Sequence, residues 1–90
     1  MQHYSEKKRL VTQKIGELIQ KLRIQKNHSC RSFAYENGLS RPNLNKIEKG
    51  LILCKSVTLM EISHALGLKF SEFVILLEKE LGDDFTLIDE

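Results

Sequence analysis

The run from Arg41 to Lys49, RPNLNKIEK, carries the side chains best suited to chemistry in this chain. At 100° per residue, Leu44, Ile47 and Glu48 share one side of a helix. Pro42, Asn45, Lys46 and Lys49 then lie roughly opposite, flanked by Arg41 and Asn43. Amide, ammonium, guanidinium and ring on one surface make a hydrogen-bonding edge rather than a reactive centre. Asn can pair bidentately with adenine, Arg or Lys can donate to guanine, and a proline ring can rest on a thymine methyl group. Any solvated helix also has a polar side, so the pattern alone leaves both readings open.

Other chemistries find no support. There are no paired carboxylates at catalytic spacing, no Ser/His/Asp set and no glycine-rich phosphate loop, so no catalytic residue and no enzyme is expected. Cys30 and Cys54 are too far apart for a C-x-x-C pair, and no Cys/His spacing resembles a zinc site. His3, His28 and His64 stand singly, as surface or packing residues do. Neither a metal nor a cofactor is expected.

The elements that must position the Arg41–Lys49 face read as a helix-turn-helix over residues 29–50, SCRSFAYENGLSRPNLNKIEKG. Ser29 caps its first helix, Gly38 supplies the positive φ of the turn, and Leu39 packs inward. Ser40 caps the second helix, Pro42 sits in the first turn where a missing N–H costs nothing, and Gly50 stops it. Upstream, Val11, Ile15, Leu18, Ile19 and Leu22 recur at helical spacing, with Lys7, Lys8, Arg9, Lys14 and Lys21 on the polar portion. That helix starts near Ser5 or only near Thr12 and ends at Asn27, and residues 1–4 read as a frayed end.

Downstream, Ser56 is placed as the cap of a fourth helix, Val57 to Leu66, with Leu59, Ile62 and Leu66 inward and Gly67 ending it. Ser71 is placed at the start of a fifth, in which Phe73, Val74, Leu76, Leu77 and Leu81 cover more than one face. So apolar a terminal helix has more to bury than one small core takes, and together with Phe85 it points to a homodimer interface, against an intramolecular role. The expected architecture is all-α, five helices in one domain over residues 1–81, followed by an acidic tail, 82–90. Phe85, Leu87 and Ile88 would dock that tail on its own subunit or a neighbour, and Asp83 and Asp84 would be repelled from a polyanion.

Ninety residues, 41% hydrophobic and 29% charged, suffice for one small core and do not suggest disorder. The net charge of +2 hides two opposed halves. Residues 1–55 hold 12 Lys or Arg against 4 Asp or Glu, and residues 56–90 hold 2 against 8. A basic front and an acidic rear suit a protein that meets a polyanion with one side, although two merely different solvated surfaces would look the same. With no signal peptide and no apolar run approaching about 18 residues, a reduced, cytoplasmic protein without membrane association is expected.

The stretch from Ile15 to Gly67 resembles the phage repressor and Cro family of DNA-binding domains, the xenobiotic-response-element type. The matching segments are IGELIQKLR at 15–23, SCRSFA at 29–34, GLSRPNLNKIEKG at 38–50 and TLMEISHALGL at 58–68. LSRPNLNKIEKG is the most specific, close to the family's L-S-x-x-x-I-S-x-I-E-x-G. The resemblance implies a five-helix, dimeric, sequence-specific regulator of transcription whose third helix enters the major groove of a pseudo-palindromic operator in double-stranded DNA. It puts Arg41, Pro42 and Lys46 where members read bases, with Asn43 and Asn45 as auxiliaries. Ser29, Cys30, Ser40 and Lys49 match positions used near phosphates, and Arg31 and Lys55 join them on charge grounds. Arg23 and Glu48 match a pair that forms a salt bridge between the first and third helices. The FAYENGLSR run and the apolar last helix also resemble controller proteins of restriction-modification systems, while phage or mobile-element repressors fit nearly as well.

Three places depart from the family pattern. Cys30 stands where a phosphate-binding Gln is usual. A thiol is a poor donor, so that contact is lost or passes to Arg31; a helix N-terminus would also lower its pKa and invite oxidation, against a plain packing role. Asn37 replaces a position often apolar. Leu51, Ile52, Leu53 and Cys54 replace a polar loop, and are expected to pack on the body or on a partner. A different class of function, an antitoxin-like or adaptor module whose last helix and tail bind a second protein, therefore stands beside the DNA-binding one.

Overall fold

The computed structural model describes residues 6–88, which form five α-helices and no strands. They are α1 (Glu6–Gln25), α2 (Cys30–Glu36), α3 (Arg41–Glu48), α4 (Ser56–Ala65) and α5 (Phe70–Leu81). The expected cap at Ser5 and the frayed residues 1–4 lie outside the described residues. Since Glu6 is already helical, the start near Thr12 is excluded.

Short-range hydrogen bonds set the boundaries around the helix-turn-helix. The Ser29 hydroxyl accepts from the Ser32 N–H at 3.0 Å and the Ser40 hydroxyl from the Asn43 N–H at 3.3 Å, each satisfying an orphan donor of a first turn. Gly38 takes φ 65° and Gly50 φ 72°. Each lets the chain fold back so that the next N–H reaches a carbonyl in the helix just ended: Leu39 to Ala34 at 2.8 Å and Leu51 to Lys46 at 2.9 Å. Asn27 ends α1 in the same way, at φ 60°.

Two starts differ from expectation. Ser56 is the first residue of α4 rather than its cap; Lys55 holds the cap position without a side-chain bond. α5 begins at Phe70, one residue before Ser71, because the Glu72 carboxylate reaches back and accepts from the Lys69 N–H at 2.8 Å. This is a one-sided capping box, since an ammonium has no lone pair with which to accept in return.

The core is built by every helix: Ile15, Leu18 and Ile19 of α1, Phe33 and Ala34 of α2, Leu44 and Ile47 of α3, Leu59 and Ile62 of α4 with Leu66 just after it, and Phe73 of α5. α1 packs on α3 and α5, α2 on α3, and α4 on α5. Ser63, wholly buried, donates its hydroxyl to the Leu59 carbonyl at 2.8 Å and so leaves no unpaired polar group.

α5 corrects the interface expectation. Phe73 is fully buried in its own subunit and is not available to a partner. Leu76 and Leu77 are half-buried against the same core, Val74, Leu81 and Phe85 are half-buried, and Ile75, which the sequence reading passed over, is exposed. Beyond Leu81 the chain turns at Gly82, and the Lys7 ammonium donates to the Ile88 carbonyl at 3.1 Å, so the end of the described chain lies beside the start of α1.

Candidate nucleic-acid interface

The buried side of α3 is held from α1. Arg23 grips Glu48 with two bonds of 2.8 Å, Nε to Oε2 and Nη2 to Oε1, with side-chain exposures of 9% and 5%. Nη1 donates onward to the His28 carbonyl at 2.7 Å, which ties the α1–α2 link into the same guanidinium. Both bonds are charge-assisted, and the planar fork fixes orientation as well as distance. They hold the Arg23 pKa above its ordinary value, with burial opposing. Glu48 lies in the last turn of α3, where the helix dipole disfavours an anion, so the guanidinium also offsets that cost.

About two turns further toward the start of α1, Gly16 sits directly against the end of α3. A Cβ there would lie 2.3 Å from the Ile47 carbonyl oxygen and 2.7 Å from that of Glu48. The absence of a side chain at residue 16 therefore sets how closely the two backbones approach. Reading the sequence missed this residue, although a glycine inside an otherwise regular helical pattern is a recognised signal of close packing.

With one side held, α3 presents the other to solvent. Arg41, Pro42, Lys46 and Lys49 are exposed and Asn45 half-exposed, and with Leu51 these residues line one shallow groove. Asn43 is exposed but does not join them. It lies on the flank of α3 that faces α4, in a cleft shared with Ser40, Thr58 and Glu61. The expected base-reading set thus borders two neighbouring depressions of α3, with Asn43 on the edge of the face, about 60° around the helix from Lys46.

The residues expected near phosphates are spread over several elements. Ser29 and Ser40 use a hydroxyl lone pair for capping, which leaves each O–H free to donate outward. Arg31 is exposed on the outer face of α2, in a group with Ser29, Ser32 and Tyr35. Tyr35, 87% exposed, was not singled out from the sequence, although its spacing of four residues from Arg31 puts both on one helix face. Lys55 is exposed at the start of α4.

Cys30 takes the packing role, half-buried against the core. Its thiol is pushed up, not down, chiefly by burial and then by Glu48, with Arg23 and Arg41 pulling the other way. Partial burial outweighs the pull of the two guanidinium groups there, and a protonated thiol is a poor nucleophile. Of the apolar loop only Cys54 packs on the body; Leu51, Ile52 and Leu53 are 69%, 37% and 54% exposed, which leaves for them the partner side of that expectation. Among the described residues, no three His, Cys, Asp or Glu side chains cluster as a metal site. No described helix is long and apolar enough to cross a membrane.

A five-helix body with an outward α3 is the fold of repressor-like helix-turn-helix domains. A mutant of the restriction-modification controller protein C.Esp1396I superposes with a TM-score of 0.74 at 24% identity, over 83% of this chain and 95% of that one. The clp gene regulator ClgR from Corynebacterium glutamicum gives 0.71 at 22% identity, over 82% and 96%. An HTH_3 family transcriptional regulator from Vibrio cholerae gives 0.71 at 24%, over 87% of this chain and 44% of that one. No family model matches the chain, and no curated protein matches it in sequence.

Proposed function

We propose that the chain is a cytoplasmic, sequence-specific DNA-binding regulator of transcription that places α3 in the major groove. One observation carries the reading: α3 is braced on its buried side by Arg23–Glu48 and Gly16, while Arg41, Pro42, Asn45 and Lys46 stand free on the other. A reading head needs this combination, because side chains that must hydrogen-bond base edges gain specificity only from a backbone that does not move. The structural neighbours named as regulators and as a controller protein support the same function.

Within this reading Arg41 and Lys46 donate to base edges, with Pro42 and Asn45 beside them and Asn43 reaching the duplex only from the flank. Ser29, Ser40, Arg31, Lys49 and Lys55 anchor phosphates, and Cys30, with a protonated thiol, contributes packing rather than charge. A homodimer joined through Val74, Leu76, Leu77, Leu81 and Phe85 sets two α3 helices about 34 Å apart, which calls for a pseudo-palindromic operator. Residues 1–81 make up the DNA-binding domain, and the acidic tail is kept from the duplex by repulsion.

A mobility shift tests it, with duplexes selected from a random pool and with the DNA upstream of the chain's own gene. Specific binding should fall about 10³- to 10⁵-fold between 50 and 200 mM salt, as expected for roughly 6 to 10 phosphate contacts per dimer. The adaptor reading draws on the last helix and the tail, where Ile75, Leu87 and Ile88 are exposed. That reading wins if no duplex binds selectively at low salt while a second protein co-purifies with the chain.

A further inference from the structure

Leu51 is two-thirds exposed, at 69%, yet its position is tightly defined. Its N–H is bonded to the Lys46 carbonyl at 2.9 Å, and Gly50 at φ 72° completes the turn that folds residue 51 back over the last turn of α3. It thereby becomes part of the outward surface of that helix, in the groove with Pro42, Asn45, Lys46, Lys49 and Arg41. Its exposure means that the core gains little from it; Cys54, three residues on, is the loop residue that packs inward. A branched apolar side chain among three cations thus has its partner outside the subunit. The cations select a polyanion, and the apolar group that duplex DNA displays in its major groove is the C5 methyl of thymine.

We propose that Leu51 reads a thymine methyl group in each half-site, as an apolar extension of the α3 surface. This rests on the DNA-binding reading above. The bond to Lys46 couples the two readers: Lys46 donates to a base edge while Leu51, fixed to the same turn, covers a methyl a step or two along the groove. The result is a preference for thymine over cytosine that no hydrogen bond supplies.

The test removes the methyl from the DNA rather than the side chain from the protein. A duplex selected by the wild-type chain is rebuilt with each thymine in turn replaced by deoxyuridine, which keeps base pairing and lacks only the C5 methyl. At one thymine per half-site, wild-type affinity should fall about four-fold, the amount that burying one such group contributes. Leu51→Ala, which removes the contact from both subunits, should weaken binding to the unmodified duplex by about the square of that factor, roughly 16-fold, and lose nothing further on deoxyuridine at that position, while Leu51→Met keeps the discrimination. The inference is overturned if no deoxyuridine position matters, or if Leu51→Ala retains the full wild-type penalty, since another residue then covers the methyl. It is also overturned if Leu51→Ala alters the sedimenting mass, which would assign the side chain to a protein contact. Failure to select any duplex instead removes the DNA-binding reading itself, a result distinct from specific binding without methyl discrimination.

Discussion

Gly16→Ala should destabilise this protein, against the usual effect of that substitution. In an unconstrained helix interior alanine is favoured over glycine by about 1 kcal/mol, because it loses less backbone entropy on folding. Here the new Cβ would meet two carbonyl oxygens of α3 at 2.3 and 2.7 Å and the Glu48 carbonyl carbon at 2.9 Å. Ordinary contact starts at 3.4 Å, so relief requires the two backbones to part by about 1 Å. The obstructing atoms belong to a helix backbone and cannot rotate aside as a side chain would. Parting the helices also pulls on the two 2.8 Å bonds between Arg23 and Glu48. Overpacking of this kind costs about 1–3 kcal/mol and occasionally more, so a net loss of about 1–3 kcal/mol is expected after the gain in propensity. For a domain of this size each kcal/mol lowers Tm by about 4–8 °C. Urea and thermal denaturation followed by circular dichroism, at one fixed protein concentration, measure it. Gln20→Ala, at an exposed position of α1, serves as the control and should change Tm little. A Gly16→Ala protein that melts at or above the wild-type temperature would refute the close α1–α3 approach.

Other perturbations probe the rest of the site. Arg23→Met strands the Glu48 carboxylate and should cost about 3–5 kcal/mol, whereas Arg23→Met with Glu48→Met should recover most of it; a double-mutant cycle in urea checks this, and additive losses would mean the pair is not coupled. Lys46→Ala or Arg41→Ala should weaken operator binding by about 1–3 kcal/mol per subunit and relax base preference, while Lys49→Ala weakens all duplexes alike; competition shifts with mutated operators separate reader from anchor. Burial pushes the Cys54 thiol from 9.0 up to about 11. A raised thiol pKa means the folded state keeps a proton that the unfolded chain releases, so stability should decline from pH 9 toward 11, and Cys54→Val should flatten that decline. Replacing Val74 and Leu81 with Asp should halve the sedimenting mass, and an unchanged mass would put the interface elsewhere.

Much of the fold could be read in advance because helix ends obey short-range rules. Ser29, Ser40, Asn27, Gly38 and Gly50 each act on backbone groups within about one helical turn, so identity and spacing suffice. The two displaced helix starts show the limit of such rules. At α5 a serine and a glutamate compete to define the first turn, and the Glu72 carboxylate prevails one residue earlier than Ser71 would have it. Both groups are local, yet their order along the chain does not say which wins.

The site divides along the same line. Periodicity in RPNLNKIEK separates an apolar from a polar side of α3, which is enough to name Lys46 and Lys49 before any fold is known, while Arg41 is named by the family resemblance. It could not reveal that Asn43 turns toward α4, that Phe73 is covered by its own subunit, or that Leu51 to Leu53 stay in solvent. Those outcomes depend on which surfaces meet across gaps of many residues, and an apolar residue has the same character whether its cover is its own core, a partner or a duplex. Gly16 is the sharpest case. By itself it is only a weak helix former, and it becomes the reason that α3 sits where it does when a carbonyl from residue 47 arrives 2.3 Å from where its side chain would begin.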